Sequence, residues 1–172
     1  MWCDIPEWSA LIASGNVDAT KWTKYAFFAA CYEGDLDLLT RLVKAGVNIE
    51  IKDDFGNCPI HLAANEKIVK FLLEQGADIN AQDNNGCTIL HMRTGLLMIK
   101  FLLENGADIH VTNKNHLTPM GYMLEITPYN IKKQQEIKDL FATFEIQLEK
   151  NKLIQSLPSP TSPFIQTKPL RL

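Results

Sequence analysis

The sequence lacks the features that mark membrane-spanning, secreted or metal-binding chains. No apolar run approaches the roughly 20 residues that a membrane helix needs, and the first residues include an acid instead of the basic start of a secretory signal. The four cysteines lie far apart and form no C-x-x-C pair, so neither a disulfide framework nor a structural zinc site is expected. We therefore expect an intracellular, cytoplasmic protein.

Acidic residues are absent after Glu149, whereas four basic residues follow it. Residues 1–149 carry 13 basic and 20 acidic side chains. This excess of negative charge argues against a surface that wraps a nucleic-acid backbone. We expect neither a nucleic-acid partner nor a membrane.

What the sequence does contain is a repeat of 30 residues. KFLLEQGADI at 70–79 returns as KFLLENGADI at 100–109. Within one unit, Pro59 predicts the start of a short first helix, and apolar residues between Ile68 and Leu73 predict a second helix that Gly76 stops. The Asp-, Asn- and Gly-rich segment at 77–86 predicts an extended finger with a tight turn. Such a helix pair cannot bury both of its faces alone, so the units must stack on one another.

The segments GNCPIHLAA at 56–64 and GADINA at 76–81 resemble the ankyrin repeat, as does the Thr-x-x-His pair at Thr88 and His91. The resemblance covers roughly residues 18–125. It implies an all-α solenoid of helix pairs with finger hairpins and a capping helix at each end. It also implies that the protein binds another protein.

The sequence departs from the ankyrin pattern where the two helices of a unit join. Three residues are missing between Ala64 and Ile68, and again between Thr94 and Met98. We expect these deletions to shorten the first helices of the middle units and to lower one wall of the binding groove. The binding surface should therefore be biased towards the fingers.

The register divides the chain into six segments. These are an N-terminal cap at 1–22, repeats at 23–52, 53–82 and 83–112, a degenerate fourth repeat with a capping helix at 113–151, and a flexible basic tail at 152–172. Thr127 and Pro128 predict the start of the last helix, whose apolar stripe either covers the fourth repeat or docks a partner helix. Two Ser-Pro pairs in the tail resemble kinase sites, with a solvated linker as the alternative.

No arrangement of residues predicts catalysis or metal binding. The P-loop, dinucleotide-binding and zinc-protease motifs are all missing. His61 and His91 occupy equivalent positions, so each is expected to make the same local hydrogen bond instead of binding a metal. We expect a protein that is not an enzyme and that needs no cofactor or metal.

Candidate binding residues lie around the turn of each finger. They are Trp22, Asp54, Phe55, Asn57, Asn84, Asn85, Cys87, Lys114 and Asn115. Trp22 and Phe55 are the expected aromatic anchors, although Trp22 fits the N-terminal cap equally well. Cys87 is either an exposed thiol or an inert small residue.

Two functions follow from these expectations. The leading hypothesis is a monomeric, non-catalytic module that binds a partner protein through the groove and finger tips. The alternative is an adaptor, an inhibitor or a pathogen or viral effector that acts through its C-terminal tail, in the host cytosol if it is delivered there. Asn80 resembles the ankyrin asparagine that intracellular hydroxylases modify, with an unmodified turn asparagine as the alternative.

Overall fold

The computed structural model describes residues 20–156, with side chains from Thr23 onward. The α-helices are α1 Thr20–Glu33, α2 Leu36–Lys44, α3 Glu66–Glu74, α4 Leu96–Glu104, α5 Pro119–Ile126 and α6 Ile131–Ser156, and a 3₁₀ helix spans Pro59–Leu62. No residue between 20 and 156 belongs to a β-strand, and the predicted all-α class is confirmed. Residues 1–19 of the expected cap and residues 157–172 of the expected tail lie outside the described residues.

The fingers are tight turns instead of the expected hairpins of paired strands. In the second unit, Gly56 N donates to Asp53 O and Asp53 N donates to Asn57 O, each at 3.0 Å. The same two bonds recur 30 residues later in the third unit. Only one pair of residues is hydrogen-bonded across each turn. This pairing is too short to form a β-hairpin of two strands.

Gly56 shows why the turns need glycine. Its φ is +79°, in the left-handed region, and a Cβ at this position would lie 2.7 Å from Asn84 N in the next turn. Gly76 follows Gln75, the C-cap residue of α3, and has a φ of +95°, as predicted for the residue that stops this helix. In the fourth unit, His116 takes the place of the turn glycine and keeps a left-handed φ of +60°.

The missing residues shorten the first helices of the middle units, as expected. α1 has 14 residues, whereas the corresponding element in the second unit is a 3₁₀ helix of four. In the third unit, residues 89–92 form only a turn. The prediction of a helix pair in this unit is therefore wrong. The physical reason is that Asn65 and Gly95 already cap α3 and α4, and too few residues remain to nucleate an α-helix.

The second helices form the centre of the core. Asp35 Oδ1 accepts from Leu38 N at 2.9 Å at the start of α2, and Asn65 Oδ1 accepts from Ile68 N at 3.1 Å at the start of α3. Their inward residues are fully or almost fully buried: Leu39, Leu42, Ile68, Val69, Leu72, Ile99 and Leu102. Burial of each such side chain contributes about 1.5–3 kcal/mol, so the apolar stripe predicted for these helices stabilises the stack.

Arg93 crosses from the third unit to the second and bonds the end of the shortened 3₁₀ helix. One of its terminal nitrogens donates to His61 O at 2.7 Å and to Ala63 O at 2.9 Å. Arg93 stands where the second unit has Ala63 and the first has Ala30. An arginine thereby satisfies carbonyls that a longer helix would have bonded internally.

α6 begins later and ends later than the sequence predicts. Asn130 Oδ1 accepts from Lys133 N at 2.9 Å and caps α6, whereas Thr127 ends α5. The helix runs to Ser156, so residues 152–156 are helical and not part of a flexible tail. Ile137 and Phe141 are buried, and α6 packs against α4 and α5 as the expected cover of the last repeat.

Candidate partner-binding surface

Each turn is held rigid by the side chain of its first residue. Asp53 Oδ1 accepts from Phe55 N at 2.9 Å and from Asn57 N at 2.8 Å. Asp83 and Asn113 make the equivalent pairs of bonds in the third and fourth units. These Asx turns fix the backbone locally, whatever the side chains at the tips. We call the three turns at 53–57, 83–87 and 113–117 the tip row.

Backbone hydrogen bonds join neighbouring turns of the tip row. Asn84 N donates to Phe55 O at 3.0 Å, and Lys114 N donates to Asn85 O at 2.8 Å. The Asn84 side chain adds a bond from Nδ2 to Asp54 O at 3.3 Å. The tips therefore keep a fixed spacing and present their side chains as one surface.

Phe55 is the exposed aromatic residue of the tip row. Its side chain is 73% exposed, whereas Phe27 and Phe141 are buried in the core. A large apolar side chain gains nothing for folding when it stands in water, and aromatic residues on rigid supports are common binding hot spots. Phe55 therefore has the geometry expected of an anchor.

The charged and amide residues predicted around Phe55 also lie at the surface. Asp54 has a side chain that is 84% exposed and makes an ion pair of 3.3 Å with Lys24 of α1. Four further predicted residues are exposed along the tip row: Asn84, Asn85, Lys114 and Asn115. These side chains are accessible to a partner.

Three other predicted binding residues are not exposed at the finger tips. Cys87 is buried, and its sulfur accepts from Asn113 Nδ2 at 3.7 Å, so its placement at the surface is wrong. Asn57 is half-buried and donates from Nδ2 to Asp53 Oδ2 at 2.9 Å. Trp22 lies in the first turn of α1 and not at a finger tip, because the first unit begins with a helix where the others begin with a turn.

The family of the chain follows from a comparison with protein-family models. The model for ankyrin repeats, in three copies, matches residues 26–113. The chain belongs to the ankyrin repeat family. No curated protein matches the sequence. Ankyrin repeats generally mediate protein–protein interaction, and the family is typically non-catalytic.

The ankyrin histidines bond successive units together. His61 Nδ1 accepts from Cys58 N at 3.0 Å, so Nε2 carries the proton and donates to Cys87 O at 3.2 Å. His91 makes the same bonds to Thr88 N at 3.1 Å and to Leu117 O at 3.2 Å. Both ring nitrogens are engaged within the fold, in agreement with the local role predicted for these residues.

The cysteines of the ankyrin units are buried and weakly acidic. Burial raises the pKa of Cys31 to about 12. Burial, with Glu50 nearby, raises the pKa of Cys58 to about 11. These thiols stay protonated at neutral pH and make poor nucleophiles or metal ligands. Among residues 20–156 no cluster of histidine, cysteine and carboxylate side chains could hold a metal ion, and no helix there is long and apolar enough to span a membrane.

Asn80 links two ankyrin units through its side chain. Its Oδ1 accepts from Asp108 N at 2.8 Å, and its Nδ2 donates to Gly106 O at 3.3 Å. The modification of Asn80 stays a prediction. A hydroxylase would have to draw this side chain away from both bonds.

Two features of the structure were not predicted from the sequence. One is the bridging role of Arg93, whose only signal is its place at an alanine position. The other is a cleft of about 300 Å³ beside the third finger, where the last turns of α6 pass close by. The cleft is lined by His110, Glu145, Leu148, Glu149 and Lys152. Leu148 was the signal for this contact, because it continues the apolar spacing of α6.

Proposed function

We propose that this chain is a non-catalytic binding module that holds a partner protein against the tip row and the adjoining ankyrin groove. The single observation that carries the proposal is Phe55, 73% exposed on a turn whose backbone is bonded on both sides. The repeats at 53–82 and 83–112 serve as the units that hold this surface. An exposed anchor on a rigid support loses little conformational entropy on binding, which favours affinity.

The absence of catalysis is part of the proposal. Both ring nitrogens of His61 and of His91 are engaged in hydrogen bonds within the fold, and burial keeps the thiols of Cys31 and Cys58 protonated. A nucleophile that works by general-base activation needs a free base beside it. His61 and His91 are bonded in this way and provide no such base.

Replacement of Phe55 by alanine tests the proposal, because the side chain is largely in water and contributes little to folding. We expect Phe55→Ala to change the free energy of unfolding by less than about 0.5 kcal/mol and to weaken partner binding by about 2 kcal/mol or more. Urea denaturation measures the first quantity. Titration of a partner captured by the wild-type chain measures the second.

Tyr129→Ala is the matched control, since Tyr129 is an aromatic residue that is 98% exposed between α5 and α6, outside the tip row. It should leave both quantities unchanged. Equal partner affinity of the Phe55→Ala and wild-type proteins would rule out the tip row as the binding surface.

A further inference from the structure

We propose that Arg93 is a binding site for a carboxylate, which an Asp or Glu side chain of the partner protein supplies. The inference rests on the proposed function, because Arg93 lies in the ankyrin groove that adjoins the tip row. It adds a second contact site on this chain and the chemistry of one partner residue.

The shortened units leave Arg93 in an open part of the groove. The first elements of the second and third units have four residues each, and they stand between α1, of 14 residues, and α5, of 8 residues. Arg93 is half-buried and lies across this gap, from the third unit to the carbonyls of the second. A partner side chain that enters the gap meets its guanidinium.

The guanidinium has hydrogen-bond donors that the fold does not use. Nη2 donates to His61 O and to Ala63 O, which occupies both of its hydrogens. Nε is buried and has no hydrogen-bond partner. Nη1 also makes no hydrogen bond within residues 20–156, but unlike Nε it is not enclosed. Nη1 is therefore free to donate to an oxygen that approaches from the groove.

No acidic side chain of the described residues neutralises Arg93. The nearby ends of α1 and α3 carry Glu33 and Glu66, and neither forms an ion pair with the guanidinium. Burial lowers the pKa of Arg93, and neither these acids nor the aspartates of the tip row oppose the shift. A partly buried charge without a counter-charge is unfavourable, and a carboxylate at Nη1 would supply one.

A carboxylate suits this site better than a phosphate group. Phosphate groups on partner proteins are commonly recognised by clusters of arginines. Between residues 20 and 156 the chain has one other arginine, Arg41, which is exposed on α2. A single guanidinium matches the single charge of a carboxylate, and the charge strengthens the hydrogen bond between them.

Peptides selected on the purified full chain from a phage-displayed library of random 12-residue sequences serve as the probe. Each Asp or Glu of a selected peptide is replaced in turn by Asn or Gln. At least one replacement should weaken binding to the wild-type chain about tenfold and binding to Arg93→Gln less than twofold. Such a double-mutant cycle isolates the contact between the two groups.

The variants separate the charge of Arg93 from its role in the fold. Arg93→Gln keeps an amide donor for the carbonyls but removes the charge, whereas Arg93→Lys keeps the charge and should retain most of the tenfold effect. Arg41→Gln is the matched control and should behave as the wild type. The urea midpoint of each variant establishes that it is folded.

A measurement on the wild-type chain needs no variant. The NMR signal of the Arg93 Nε–H group in the ¹⁵N-labelled chain should shift when the acidic peptide is added. It should not shift with the peptide whose acid has been replaced by an amide.

The outcomes separate this inference from the proposed function. Peptides without an essential acid, or an acid that matters equally for the wild type and Arg93→Gln, overturn the inference and leave the proposed function to the Phe55→Ala experiment. An Arg93 signal that responds equally to both peptides also overturns it. Coupling to Arg93 in peptides that bind Phe55→Ala as tightly as the wild type supports the carboxylate site and counts against the tip row.

Discussion

The fold favours the neutral form of His91. Nδ1 accepts from Thr88 N at 3.1 Å, with Thr88 Oγ1 also at 3.1 Å, and Nε2 lies 3.2 Å from Leu117 O. Burial lowers the pKa of His91 below its ordinary value, although the bond to Leu117 O and the charge of Asp83 oppose the shift. The free energy of unfolding is therefore linked to the protonation of this ring.

The sign of the linkage predicts acid sensitivity. Because the pKa of His91 is lower in the folded chain, the unfolded chain binds the proton first as the pH falls below about 6.5. The stabilisation is complete above that pH and is lost towards the lower pKa of the folded state. We expect the urea midpoint of the wild type to fall between pH 7.5 and pH 5, and to fall less in His91→Gln.

The wild type measured over the same pH range provides the comparison for this experiment. An equally steep acid loss in His91→Gln would show that groups other than His91 cause it.

At the scale of elements, the shortened 3₁₀ helix depends on a side chain from the next unit. Arg93 donates to His61 O at 2.7 Å and to Ala63 O at 2.9 Å. Burial lowers the pKa of the guanidinium, but arginine stays charged at neutral pH, and its hydrogen bonds to the carbonyls are strengthened by that charge. Removal of the guanidinium would leave both carbonyls without these bonds.

Arg93→Met should therefore destabilise the protein by about 1–3 kcal/mol, since methionine keeps an apolar stem but donates no hydrogen bond. Urea denaturation monitored by circular dichroism measures the change. Arg41→Met is the control, because Arg41 is exposed on α2 and should change stability by less than about 0.5 kcal/mol. Equal unfolding free energies for the two variants would mean that the bridge contributes nothing.

The sequence predicted the elements that are determined by residues close together in the chain. Glycine spacing located the turns, and apolar spacing located α3 and α4, because both signals act within a few residues. The first element of the third unit was predicted wrongly, since four residues between a turn and a capped helix cannot nucleate an α-helix. The start of α6 was wrong because Asn130 caps it three residues after Thr127.

The candidate surface was predicted in part for a similar reason. The turn register predicts which residues stand at the tips, and Phe55 and Lys114 are exposed as expected. It does not predict which way the residue after the turn glycine faces. Cys87 is buried beside Asn113 of the adjoining unit. The sequence of a single unit does not predict this contact between two units.

At the scale of the whole molecule, the described elements form a linear stack that α6 closes. In such solenoids each unit contacts its neighbours only. Because the composition of residues 157–172 predicts a flexible tail, their deletion should leave the unfolding free energy and the affinity for the partner unchanged. The cut belongs after Ser156, since an earlier one would shorten α6.

Equilibrium unfolding and titration of the captured partner on the shortened chain measure both quantities. Lost affinity in a chain of unchanged stability would favour the alternative in which the tail carries the function.

The bonds between turns have a consequence for protein engineering. Phe55 O accepts from Asn84 N, and Asn85 O accepts from Lys114 N. Each turn is therefore bonded to the next turn by the same kind of backbone hydrogen bond. In the turns, a duplicate of residues 83–112 inserted after Gln82 or after Thr112 would meet the same backbone donors and acceptors that the original meets. The chain can in this way be lengthened one module at a time, with Phe55 moved a chosen number of layers away from Lys114.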